Sequence, residues 1–182
     1  MNEKRTVRQV FDQQRETFVR DYLSRVRVRR VLKYALYLFL ALLVQNMLFT
    51  QLRIAGVCPM ILPAVAVAVG MFEGPTWGAV LSLILGIFAD MAFVENTILF
   101  TVLFPAISFA TGFFSTFFIN RRFFAFMGAA FLGLLVTALV QMLHIVALDT
   151  FSPVMFRVVI LQTLWSLPFA VPAYLPPARW IE

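Results

Sequence analysis

The chain has little of what soluble chemistry uses. Cysteine and histidine occur once each, as Cys58 and His144. That excludes a disulfide framework, a cysteine-based metal site and any zinc site needing two histidines. There is no G-x-S-x-G elbow for a serine hydrolase and no glycine-rich loop ending in Lys-Ser or Lys-Thr for nucleotide phosphates. No cofactor motif is present, and no catalytic set can be assembled. Charge is also scarce, at 13% of 182 residues, and it is unevenly placed. Residues 1–33 hold ten of the fifteen Lys and Arg and four of the nine acids, and that difference equals the whole net charge of +6. The basic character therefore belongs to one segment and gives no indication of nucleic acid as a partner.

What is abundant is apolar surface. Hydrophobic residues make up 62% of the chain, phenylalanine alone occurs 21 times, and the mean hydropathy is +0.89. A soluble domain of this length needs a more polar exterior. The composition predicts an all-α integral membrane protein, with a basic segment over 1–33 and a transmembrane domain over 34–182. Six stretches approach the roughly 20 residues that cross a bilayer. They are 34–52, 57–72, 76–94, 97–119, 123–148 and 156–175. The breaks between them carry charges, glycine or proline, as in "RIAG", "EGP", "VEN", "NRR" and "DTFSP". The second stretch is short and holds Pro59 and Pro63, which leaves a re-entrant or tilted segment open. The closing "PPARWIE" is expected to end the last helix, with Trp180 at the headgroup level.

Six spans put thirteen basic residues on the side of both termini and only Arg53 and Arg157 on the other. The positive-inside rule then places both termini in the cytoplasm, with no cleaved signal peptide. In the basic segment, Val7, Phe11, Phe18, Tyr22 and Val26 recur at helical spacing among arginines. This pattern suits an amphipathic helix on the lipid surface, or a docking site for a cytoplasmic partner.

The stretch "GAVLSLILGIFAD" sets Gly78, Ser82, Gly86 and Asp90 four residues apart, on one helix face. Small residues in membrane helices let backbones approach. The same device recurs at Ala125, Ala129, Gly133, Thr137 and Gln141, and at Ser108, Gly112 and Thr116. The face is read as a helix-packing surface, with a partner contact as the alternative. A carboxylate near a span end costs a few kcal/mol unless paired or wetted, so Asp90 is expected to pair with Arg53 or Arg157. A proton or substrate site there is the sharper alternative. His144 and Gln141 are expected to hydrogen-bond between helices. Gln45, Asn46, Gln162 and Thr163 either line a small cavity or join helices.

The stretch "IAGVCP", an apolar span and then "EGPTWGAVLSLILGIFAD" resemble the signature region of the MreD family of bacterial rod-shape-determining membrane proteins. Gly56, Pro59, Gly74, Pro75, Gly78, Gly86 and Asp90 carry the resemblance. Ser82 stands at a ladder glycine, and Met60 follows Pro59 where an acid is common. The resemblance implies a non-enzymatic scaffold of the cell-elongation machinery in the bacterial cytoplasmic membrane, supporting peptidoglycan synthesis. Its implied partners are an MreC-like protein, a RodA-type transglycosylase, a class B penicillin-binding transpeptidase and, directly or indirectly, MreB. It also implies a fold resembling the S-component of energy-coupling-factor transporters. A substrate-binding S-component of a vitamin transporter is the alternative function.

Overall fold

The computed structural model describes Arg29 and residues 31–49, 51–52, 57–92, 98–117, 123–148 and 154–181. These are nearly all helical: α1 (Val31–Phe49), α2 (Leu62–Glu73), α3 (Pro75–Ala92), α4 (Leu99–Phe117), α5 (Phe123–Leu148) and α6 (Val154–Ile181). The last turn of α1, Gln45–Phe49, is π-helical. The chain divides into two units after Tyr37; the account below concerns the second, residues 38–182. The basic segment 1–28, with its amphipathic pattern, and Arg53 lie outside the described residues.

Four helices, α1, α3, α5 and α6, are long and apolar enough to cross a membrane. The protein is a membrane protein on that ground. The twelve residues of α2 and the Leu99–Ser115 stretch of α4 are shorter apolar helices.

The short helix is the centre. Every residue of α2 from Leu62 to Phe72 is buried, and α3, α4, α5 and α6 all pack on it. Its sequence, LPAVAVAVGMFE, has no polar face because it has no outward side. At about 1.5 Å per residue, twelve residues rise only about 18 Å. Residues 57–61 precede it without helical structure. Non-helical backbone is tolerated at membrane depth only where protein or a water-filled cavity receives its polar groups. Here the Ile61 N–H donates to the Gln45 side-chain oxygen (2.8 Å), and the Gln45 amide donates to the Pro59 carbonyl (3.1 Å). The Met60 N–H donates to Ser166 Oγ of α6 (2.8 Å).

At the other end, Tyr174 of α6 gathers Phe72 of α2 and Phe123 and Phe126 of α5, with ring centroids 5.1–5.4 Å away. Phe49 of α1 meets Phe169 edge-on at 4.7 Å.

Boundaries depart from the sequence reading at α1, which runs Val31–Phe49 in place of 34–52, at α2, which starts at Leu62 in place of 57 with Pro63 in its first turn, and at the end of α6. Instead of ending before "PPARWIE", α6 continues to Ile181 through Pro176 and Pro177. Pro168, Pro172 and Pro176 are four apart, so their missing N–H groups fall along one side of the helix. The remaining bonds carry it on, and Pro168 and Pro172 are exposed.

Candidate functional site

The opening element of the candidate site is a one-residue corner. Gly74 closes α2, donating its N–H to the Gly70 carbonyl, and accepts the Gly78 N–H at 2.9 Å. Its φ of +87° favours glycine, and Pro75 follows at the first position of α3, where no N–H is needed. The turn folds α3 back along α2, and α4 packs against both.

The glycines sit where these three backbones meet. A Cβ on Gly70 would lie 2.2 Å from the Ser108 carbonyl oxygen. One on Gly78 would lie 2.6 Å from the Gly70 Cα, and one on Gly86 2.5 Å from the Phe100 carbonyl oxygen. From the other side, a Cβ on Gly112 would lie 2.7 Å from the Pro75 nitrogen. Ser82 and Ser108 are fully buried in the same joint, with hydroxyls that find no partner among the described residues. Ser115 ties α4 to α2 by donating to the Met71 carbonyl (3.2 Å). Thus Gly78, Ser82 and Gly86 are buried inside this bundle, and Leu83 and Phe88 point outward.

Asp90 completes the joint in a way the sequence did not suggest. Its carboxylate accepts the Phe100 N–H (3.0 Å), the Thr101 N–H (2.7 Å) and the Thr101 hydroxyl (2.6 Å). Phe100 and Thr101 are the second and third residues of α4, whose N–H groups a capping side chain normally receives. Ile98, next before the helix, has no acceptor, so Asp90 reaches across from α3 and caps α4. The positive end of the helix dipole favours the carboxylate there as well. Arg157 is exposed and forms no ion pair with Asp90 among the described residues. The demand for a counter-charge is met by backbone amides.

Two openings flank this closed joint. The first is an apolar groove of about 460 Å³ where α4 and α5 diverge. Ile107, Ala110 and Phe114 of α4 form one wall, and Ala125, Gly128, Ala129 and Gly133 of α5 form the other. A Cβ on Gly128 would meet nothing within 4 Å. The α5 stripe is therefore only partly used: Ala125, Ala129 and Gly133 face the groove, while Thr137 is buried and donates to its own Gly133 carbonyl.

The second is a polar cavity of about 260 Å³ beside the non-helical lead-in to α2. Gln45, Cys58, Pro59, Met60, Gln141 and Gln162 line most of it. Gln162 donates to the Gln141 oxygen at 3.3 Å. Of the polar residues expected near a cavity, Gln45 and Gln162 line it. Asn46 is exposed, and Thr163 is buried and bonded to its own Val159 carbonyl. His144 is half-buried and makes no hydrogen bond among the described residues; Gln141 bonds Gln162 instead. Gln141 and Cys58 escaped the search for a cavity, because only the fold brings 58, 141 and 162 together. No group of three or more His, Cys, Asp or Glu that could hold a metal ion occurs among the described residues.

The chain was compared with family models, curated proteins and solved structures, and it matches none of them.

Proposed function

We propose that the protein is a non-enzymatic membrane scaffold of the MreD type. It holds an MreC-like protein, and through it the peptidoglycan-synthesising enzymes of cell elongation, in the bacterial cytoplasmic membrane. The resemblance in "EGPTWGAVLSLILGIFAD" supports this reading. So does the segregation of thirteen basic residues to one side, which favours six spans with both termini cytoplasmic. The observation that carries most weight is the contrast between the closed joint and the groove. Asp90, the carboxylate near the end of α3, is fully engaged in capping α4. The exterior meanwhile offers an apolar groove floored by small residues of α5. Such a surface suits a neighbouring transmembrane helix, whose backbone gains packing by close approach.

The test is co-purification of the MreC-like partner from membranes containing tagged protein. Gly128 lines the groove, and a side chain added there starts in open space, its Cβ meeting nothing within 4 Å. Gly128→Leu is expected to lower partner recovery about tenfold, equivalent to ~1.4 kcal/mol, at an unchanged level of the protein. Unchanged recovery, or no partner recovered with the natural sequence, overturns the reading.

A further inference from the structure

We propose that the polar cavity beside α2 is a binding site for a small uncharged molecule bearing a carboxamide, urea or lactam group. Among the described residues the lining has no acidic or basic side chain. A bare phosphate, carboxylate or ammonium group would find no counter-charge on these walls, and desolvating it there is costly. What the lining offers is amide chemistry. The Gln162-to-Gln141 bond uses one N–H and one oxygen. It leaves the Gln162 side-chain oxygen and the Gln141 amide hydrogens without a partner among the described residues. Reversing both side-chain amides preserves this balance of one acceptor and one donor group. A ligand with adjacent donor and acceptor atoms matches it; an acceptor-only ligand does not.

The remaining walls suit such a ligand. Val57, Met60 and Val158 provide apolar surface for its body. The non-helical stretch is held from two sides, by Gln45 on Pro59 and Ile61 and by Ser166 on Met60. The wall is therefore built before a ligand arrives. At about 30 Å³ for each water, the cavity holds about eight waters. That is room for a compact molecule and too little for a large cofactor. This site is separate from the α4–α5 groove, so it stands or falls independently of the scaffold reading.

Cys58 makes the test direct, because it is the only cysteine and lines the cavity. The purified full-length protein is alkylated with N-ethylmaleimide in the presence of benzamide, benzoate or acetophenone. Benzamide has the donor and the acceptor, benzoate only charged acceptors, and acetophenone one neutral acceptor. Cys58 is expected to react in the folded protein and to be shielded saturably by benzamide, with half-effect near or below about 1 mM, a modest affinity. Benzoate should give no shielding, and acetophenone should be weaker than benzamide by about tenfold, the loss expected when the free glutamine oxygen is covered without a donor. Replacing both glutamines, as Gln141→Met with Gln162→Met, should remove benzamide's advantage over acetophenone, and an advantage that persists overturns amide recognition. A Cys58 that reacts only after denaturation overturns the cavity. Equal shielding by all three compounds, or by none, overturns amide recognition.

Discussion

The α3–α4 contact and the α4–α5 gap use the same kinds of residue to opposite ends. Both present small residues at four-residue intervals: Gly78, Ser82 and Gly86 on α3, and Ala125, Ala129 and Gly133 on α5. On α3 the stripe is closed. Phantom Cβ atoms at Gly78 and Gly86 fall 2.5–2.6 Å from neighbouring backbone. On α5 it is partly open, and Gly128 faces empty space. Small residues permit close approach without determining which backbone will come. The connection decides. Gly74 turns α3 directly back on α2, and Asp90 locks the start of α4 beside the end of α3. Nothing comparable draws α5 against α4.

The comparison breaks most sharply at Gly86. Gly86→Leu places a branched side chain where the Phe100 carbonyl and Thr101 Cα already lie. Overpacking usually costs about 1–3 kcal/mol, and more where backbone must move. The expected result is loss of monodisperse protein after detergent extraction, or a collapse in thermal stability. A Gly86→Leu protein as stable as the natural one would show that the joint is not closed.

A smaller effect is expected at the cap. Asp90→Ala strands two N–H groups and a hydroxyl at the start of α4, for about 2–4 kcal/mol in total, since some donors can find water. Thr101→Val removes only the hydroxyl's bond, for about 1 kcal/mol. Thermal unfolding in detergent should rank Asp90→Ala well below Thr101→Val. The reverse order would mean that the backbone amides are not what the carboxylate serves.

The smallest effect is expected in the groove. Gly128→Leu should change thermal stability by no more than about 0.5 kcal/mol, as for positions away from packed features. Destabilisation equal to that of Gly86→Leu would erase the distinction between the two stripes.

Much of this arrangement was legible in the sequence, because period and breakers act locally. The bounds 123–148 read from apolar length match α5, and 76–94 starts one residue after α3 does, its last two residues lying outside the described ones. The end of α6 was misjudged because proline was weighed residue by residue, when its four-residue spacing gathers the missing bonds on one side. Asp90 was legible as a membrane-depth charge in need of partners. Its actual partners were not, because unpaired N–H groups belong to every helix start and carry no residue identity. The clue was indirect: α4 begins at Leu99 after Ile98, a residue that cannot cap. The apolar groove was illegible, being a property of how far helices diverge, while the polar cavity was legible only in two of its lining residues, Gln45 and Gln162.

The enclosure of α2 bears on how the chain is made. Eleven residues, Leu62 to Phe72, buried among α3, α4, α5 and α6 give a segment no lasting lipid contact in the finished protein. While it is synthesised, α5 and α6 do not yet exist, and the surface they will cover must rest against lipid or the insertion machinery. Independent insertion of each helix followed by lateral association, the usual sequence for bundles, therefore describes α5 better than α2. The central helix reaches its final environment only when the C-terminal third of the chain arrives to enclose it.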